Sequence, residues 1–386
     1  MRKILSDILI TSLVIATALG SSAQTALTRA KADEPATSLA ATEPATSLAA
    51  TPVGDPLAAE PGALSDGTIL GTTVSVYTGE EITSEAAKNR PVAVMMPTDK
   101  AAQPSYGIGH AKVLYEIMEE GSISRQLAII DDWHDLDRIG NIRSCREYYI
   151  HVATEWDPIL IHFGGVVYLK NRITQPDIDN LSGVAEYGVG GQAPGTEQFF
   201  RTKDRSQPHN AYISAKGIKT AAEKLGYSLE TRPQYYCNEH FKFADEFNTL
   251  EQYDDAGEAL NIDLSKIFPY TKSSLTYDEA SGLYLKNLHG KAQVDAIDDE
   301  QLAFANVIIQ STSWKKVDKK GYLAFDILGS GEGYYCTAGR VIHVRWEKHG
   351  DHQPTRYYDD LGNEILLNKG KTYIAIAQKE KEPIFS

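Results

Sequence analysis

Short apolar runs, each closed by glycine, proline or a polar cluster, recur along the chain from about residue 91 onward. Residues 91–96 (PVAVMM) read as a short buried strand closed by Pro97. Residues 112–119 and 124–131 are rich in strand formers and meet across Gly121 and Ser122, the pattern of a hairpin. The spacing then changes. Ser144 and Glu147 have the S-x-x-E form of a capping box, and Tyr148, Tyr149, Val152, Ala153 and Trp156 follow at helical intervals. This predicts a helix that starts at Ser144 and stops before Pro158. Residues 159–163 (ILIHF) predict a strand running into Gly164-Gly165, and 166–173 a second helix. Helix, strand and helix in that order predict an α/β (α+β) N-terminal domain with a mixed sheet.

Residues 199–210 (FFRTKDRSQPHN) form a polar loop, after which Ser214 opens a helix through Leu225 that Gly226 stops. From about residue 273 the texture becomes short β-rich runs separated by glycine, at 283–288, 306–311, 322–328, 340–346 and 371–377. These predict a smaller, mostly antiparallel β C-terminal domain. The expected boundaries are 80–235 for the first domain and 245–386 for the second.

The chain's beginning has a different pattern. Arg2 and Lys3 precede an apolar run at 8–20 and the small residues Ser21, Ser22 and Ala23, the layout of a secretory signal over 1–23. A second small-x-small site stands at 30–32, and an uncleaved membrane anchor is the alternative. The nonapeptide EPATSLAAT occurs at 34–42 and again at 43–51, within an Ala-, Pro- and Thr-rich stretch. Residues 24–65 therefore read as a disordered linker with too little bulky apolar surface to offset chain entropy.

Fifty-two acidic residues against 38 basic ones give a formal net charge of −14. That charge argues against nucleic acid or an anionic membrane as partner, because neutralising phosphates needs a basic face. Membrane attachment is expected only through an uncleaved signal. The three cysteines, Cys145, Cys237 and Cys336, are too few and too widely spaced for a disulfide framework, and none precedes Cys145 for lipid attachment near the signal.

Candidate chemistry concentrates in the first half. Arg143, Ser144 and Arg146 at a helix start would offer free N–H groups and two guanidinium groups to a phosphate or carboxylate. The alternative makes Ser144 a simple cap and leaves the arginines solvated or paired with Glu147 and Glu155. His162 ends a strand just before Gly164-Gly165, where a ligand can approach the backbone and a histidine can act as base, or else it is a satisfied core residue. His209 and Asn210, with Arg201, Asp204 and Arg205 upstream, would supply a general base and an oxyanion donor, or alternatively a turn. Glu116 and Glu120 opposite Arg125 would add a carboxylate or form a cross-strand ion pair. Residues 329–333 (GSGEG) lie between strands and read as a hairpin turn rather than a phosphate cradle. His349 and His352 around Asp351 lack a partner at metal-ligand spacing, and G-x-S-x-G, H-E-x-x-H and paired C-x-x-C are absent. No metal and no cofactor is expected.

The stretches RPVAVMM, AKVLYEIMEEGSISRQLAI, IGNIRSCREYYIHVATEWDPILIHFGG and PHNAYIS, and later ANVIIQ, GSGEGYY with GRVIHVRWEK, and YYDDLGNEILLNKGKTYIAI, resemble the YerB-like family of bacterial envelope proteins. The resemblance covers nearly the whole chain after about Asn89. It implies an N-terminal and a C-terminal domain of unknown function, and its members are often lipoproteins. It singles out Glu116, Glu120, Arg125, Arg143, Ser144, Arg146, His162, Gly164, Gly165, Arg201, Pro208, His209 and Asn210 without assigning them chemistry. The chain departs from the family at Pro97-Thr98, where an Asp-Asn pair is usual, at Gln293 in place of a histidine, at Cys145 in place of a small residue, and in the missing lipid-attachment cysteine. The leading expectation is an extracytoplasmic protein that binds an anionic group of a cell-wall or other envelope component, with Arg125, Gly164, Gly165 and Arg201 around Arg143, Ser144 and Arg146. One alternative is a non-catalytic envelope adaptor whose polar cluster joins the two domains while an envelope protein partner docks on the C-terminal sheet. The other is a hydrolase or transferase with His162 or His209 as base, aided by Asn210 and Glu116.

Overall fold

Strands that read as unbroken apolar runs must be covered on both faces. In the structure, a computed structural model describing residues 71–184 and 195–386, they lie in the middle of one large sheet. The expected signal segment and linker lie outside the described residues. In the first half the sheet strands are β1 (Val92–Pro97), β2 (Val113–Met118), β3 (Ser124–Ile130), β4 (Ile159–His162) and β5 (Asn180–Ser182), all wholly buried. The second half adds β6 (Gly257–Glu258), β7 (Asn306–Thr312), β8 (Gly329–Thr337), β9 (Arg340–Lys348), β10 (Arg356–Tyr358) and β11 (Thr372–Gln378).

These eleven strands form a single sheet in the order β6-β9-β8-β7-β11-β2-β3-β1-β4-β5, with β10 beside β9. The last long strand, β11, is inserted between β7 and β2 and runs parallel to both. The second half is therefore not a separate antiparallel sheet, as its sequence suggests, because the central strand of the shared sheet comes from the C-terminal end. β1, β4 and β5 are also mutually parallel, and β3 joins β1 and β2 antiparallel to each. Six strands, β7, β11, β2, β1, β4 and β5, consequently point the same way, and their carboxyl ends share one edge. A second, antiparallel six-stranded sheet is built around Ser274–Asp278 and Leu283–Leu288.

Among the described residues helices are few and sheet predominates, so the α/β description holds only loosely. They are α1 (Glu147–Ala153), α2 (Lys170–Ile173) and α3 (Ala215–Leu225). Helix α3 follows its predicted limits: Ser214 accepts a hydrogen bond from the Gly217 N–H, and Gly226 closes it at φ 73°. Helix α1 does not start where the capping box predicts. It begins at Glu147 with Arg146 at the N-cap position and no side-chain cap, while the Ser144 hydroxyl donates to the Phe163 carbonyl at 3.1 Å. Among the described residues no helix is long and apolar enough to cross a membrane.

Residues 329–333 also depart from expectation. They are not a turn but the first part of β8, with Gly329 opposite Lys348 in β9. A Cβ at Gly333 would sit 2.4 Å from the Ile309 carbonyl oxygen, and one at Gly331 would sit 2.6 Å from the Trp346 indole nitrogen. Glycine is needed here for close packing within a sheet, and a sequence cannot distinguish that need from a turn.

Two buried ion pairs join the halves. Glu116 on β2 is wholly buried, with Lys286 of the second sheet 3.3 Å away. Its oxygens accept hydrogen bonds from Ser124 and Ser273 at 2.6 Å and from Tyr373 at 2.8 Å. Burial alone pushes this carboxyl up, but Lys286 and the three hydroxyl donors bring it below its ordinary value. Glu155, just after α1, accepts from Lys348 at 2.9 Å, from the Thr355 N–H and hydroxyl at 2.9 and 2.8 Å, and from the Tyr115 hydroxyl.

The 349–355 loop docks on α1 and α2. Asp351 binds His151 at 2.5 Å and Arg172 at 2.7 Å, and His352 reaches Asp177 at 2.8 Å. Burial raises the Asp351 carboxyl, yet His151 and Arg172 more than offset this and hold it at about 2. Asp177 is likewise raised by burial but held at about 2 by Arg172 and His352.

Lys286→Met leaves Glu116 ionised and buried without its cation, so denaturant unfolding should show a loss of about 3–5 kcal/mol. The Glu116→Gln/Lys286→Met double variant should recover most of it. A loss below about 1 kcal/mol for the single variant would show that the pair does not hold the halves together. The depressed carboxyls give a second expectation. Their folded values lie below the unfolded value of about 3.9, so their stabilisation is complete above about pH 4 and is lost as pH falls through about 2. Urea midpoints of Asp351→Asn should therefore fall less steeply than wild type between those limits, and parallel profiles would count against the assignment.

Candidate functional site

The sequence-predicted residues gather at the carboxyl ends of β1 and β4, the edge where sheets with parallel strands tend to place ligands. The segment preceding α1 is laced between those ends. The Arg143 N–H donates to Met95, Phe163 donates to the Arg143 carbonyl, and Cys145 donates to Gly164, each at 2.9 Å. Gly164 has φ 77°, and a Cβ at Gly165 would meet the Cys145 carbonyl oxygen at 3.0 Å and the Leu169 side chain at 1.9 Å. The two glycines admit the protein's own backbone and Leu169 rather than a substrate.

The arginines of the motif divide into two kinds. Arg146 is buried and held by Glu120, with its Nε 3.1 Å from Glu120 Oε2, and by Glu119 at 3.3 Å. Arg125 donates to Glu119 at 2.8 Å and to the Ser144 carbonyl. Burial raises the Glu119 carboxyl, and the two arginines only partly counter it. Arg146 and Arg125 are thus engaged with carboxylates, and neither pairs with Glu147 or Glu155 among the described residues. Arg143 differs. It is partly exposed, its acid partner Asp99 is 3.7 Å away, and it lies 3.1 Å from the Nδ1 of His209.

Because a guanidinium can only donate, His209 Nδ1 must accept, which puts the ring proton on Nε2. Partial burial and the positive charge of Arg143 lower the His209 pKa, so the ring is neutral at pH 7. Its Nε2–H makes no hydrogen bond among the described residues. Arg205 adds to the positive field at His209 while donating to the Ala102 carbonyl. Arg201 donates to Asn210 Oδ1 at 2.7 Å and lies 4.6 Å from the centre of the Phe163 ring.

The remaining candidates are structural. His162 is fully buried, with Nδ1 2.8 Å from the Gly164 carbonyl and Nε2 3.2 Å from Asn180 Oδ1, and burial lowers its pKa. Asn210 is buried, with Oδ1 accepting from Arg201 and one Nδ2–H donating to the Thr202 carbonyl at 2.7 Å, so its side chain ties the 201–210 loop together. Glu116 is a core residue paired to Lys286. It stands opposite Gln126 rather than Arg125, so the cross-strand pair with Arg125 does not form. Gln293, one of the departures from the resembling family, exchanges amide hydrogen bonds with Gln126 at 2.7 and 3.1 Å, beside Glu116. Thr98 donates to the Ser124 carbonyl at 2.6 Å in the same network. Among the described residues no group of histidine, cysteine or acidic side chains can hold a metal ion, and all three cysteines are free.

Lys286 and Lys348 are absent from the sequence-based candidates, although their alternation carries a signal. Tyr284, Lys286 and Leu288 share the buried face of their strand, as Val344, Trp346 and Lys348 do in β9. A lysine in register with apolar neighbours marks a buried cation whose carboxylate must come from elsewhere.

Residues 77–228 match the family described as Protein of unknown function (DUF3048) N-terminal domain, and residues 264–374 match its C-terminal domain. A protein of Bacillus subtilis (strain 168) named "Putative lipoprotein YerB" is 28% identical over 303 residues, which is 78% of this chain and 84% of that one. The crystal structure of YerB protein from Bacillus subtilis aligns with a TM-score of 0.65 at 25% identity, covering 79% of this chain and 96% of that one.

The split between structural and free groups is testable by stability alone. His162→Ala empties a fully buried site beside the Gly164 carbonyl and Asn180 and should cost about 2–4 kcal/mol in denaturant unfolding. Ser144→Ala loses one hydroxyl bond and should cost about 1 kcal/mol, and His209→Ala less than that. A His209→Ala penalty equal to that of His162→Ala would place His209 in the scaffold.

Proposed function

We propose, from the premise that this chain belongs to the DUF3048 family of proteins with N- and C-terminal domains of unknown function, that it is an extracytoplasmic envelope protein holding a phosphate or carboxylate group at Arg143 and His209. The observation that carries this reading is the pairing of a partly exposed arginine, whose acid partner Asp99 stands 3.7 Å away, with a neutral histidine whose Nε2–H has no partner among the described residues. Both stand at the carboxyl edge of parallel strands. A guanidinium and an imidazole N–H side by side supply charge-assisted donors to one anion. The site differs from the helix-start site that the sequence suggests, since Ser144 and Arg146 are committed to the protein itself.

The same geometry weakens a hydrolytic role. His209 cannot serve as a base while Arg143 occupies its lone pair, and His162 is fully buried with both ring nitrogens facing protein oxygens. Location outside the cytoplasm is supported by the signal-like first 23 residues, the repeat-bearing linker and the name of the Bacillus subtilis relative. The adaptor reading also has one observation in its favour: Glu116–Lys286 and Glu155–Lys348 use buried polar groups to join the two matched regions.

Thermal unfolding of the globular part with millimolar inorganic phosphate and with a sugar phosphate tests the site. Wild type should rise by several degrees, as selective binding to the folded state requires. Arg143→Ala should keep its ligand-free midpoint and lose the rise. A rise that survives in Arg143→Ala, or no rise with either ligand, would overturn the site and leave the adaptor reading.

A further inference from the structure

The carboxyl edge carries a second feature, independent of Arg143 and His209. At the ends of β2, β7 and β11 a cleft of about 800 Å³ opens. That volume lies within the usual range for ligand sites of about 300–1,000 Å³. One wall is the tip of the β2–β3 hairpin at 119–122, and another is a two-stranded ribbon formed by Trp314–Lys316 and Leu323–Phe325. The chain that leaves β11, residues 378–382, closes a third side.

Trp314 sets the cleft's character. Of the four tryptophans, Trp133, Trp156 and Trp346 are buried, and Trp314 alone is partly exposed, packed on one side against the core and open to the cleft on the other. Its indole N–H points at both oxygens of Glu380, at 2.8 and 2.9 Å, so the ring is fixed rather than free to rotate. Met118, Pro269 and Leu323 extend the apolar surface beside it. The charges around this surface do not favour one sign: Glu120, Glu380 and Glu382 face Lys266, Lys316 and Lys381, while Glu119 is buried behind them against Arg125 and Arg146. A cleft tuned for a polyanion would be basic throughout. This one sets carboxylate acceptors and ammonium donors around a flat apolar platform. A hydroxyl both donates and accepts, and a pyranose ring presents an apolar face, so a sugar satisfies all three features together.

We propose that this cleft binds a neutral, hydroxyl-rich glycan segment, with one sugar ring stacked on Trp314 and its hydroxyls shared between the glutamates and lysines of the rim.

The position of Trp314 gives the experiment its readout. Acrylamide quenching of tryptophan fluorescence reports the partly exposed indole selectively, since the other three are buried. Titration with a β-1,4-linked N-acetylglucosamine tetrasaccharide should give saturable protection from quenching, and calorimetry should show the matching binding. Lys316→Ala, an exposed change that spares the fold, should weaken that binding several-fold. Trp314→Ala should reduce it tenfold or more while leaving the phosphate response of Arg143 unchanged, which separates this site from the anion site. Absence of protection by the tetrasaccharide overturns the proposal. So does protection by inorganic polyphosphate in its place, or tetrasaccharide binding that survives Trp314→Ala.

Discussion

A carboxylate sealed inside a sheet stays ionised only if cations and donors are brought to it, and Glu116 obtains them from three separate parts of the chain. Ser124 comes from the neighbouring strand, Tyr373 from the inserted strand β11, and Ser273 and Lys286 from the second sheet. The Tyr373 contact exists only because β11 lies between β7 and β2. The arrangement couples the two halves, because leaving Glu116 without Lys286 costs far more than an ordinary surface ion pair supplies. Glu155 repeats the arrangement with Lys348 and Thr355. Both carboxylates are donated by the first half and neutralised by the second.

Sharing one sheet also explains where the open chemistry lies. With six strands pointing the same way, their carboxyl ends place the 97–99 loop, the 141–146 segment, the β2–β3 tip and the chain after β11 along a single edge. Glu119 and Glu120 tie down Arg125 and Arg146 in the middle of that edge. Arg143 and His209 are left on one side of them and the Trp314 cleft on the other. The buried network and the surface site are thus different populations of polar residues, although they are interleaved in sequence.

Much of the local structure could be read from the pattern of side chains. The strands at β1 to β4, the Gly121-Ser122 hairpin and the helix from Ser214 to Gly226 all follow from neighbours within a few residues. The misreadings have a common origin. Ser144 looks like a cap because the S-x-x-E pattern is correct, but its hydroxyl finds the Phe163 carbonyl 19 residues away. Gly331 and Gly333 look like a turn because glycines cluster there, but they make room for Trp346 and the backbone of β7. In each case a long-range partner competes with a local one and wins.

The sequence by itself determined the period of each element, the inward face of strands such as 283–288, the acidic balance of the chain and the presence of an unusual polar cluster between residues 116 and 210. Those properties depend on side-chain spacing and composition, which the linear order carries. Only the tertiary structure decided that β11 enters the first half's sheet, which arginines of the cluster are spent on carboxylates, and which one stays open beside His209. Those outcomes depend on the distance between groups far apart in sequence, and burial makes each such pairing exclusive: a guanidinium sealed against a buried glutamate has its charge matched and is closed to a ligand from solvent.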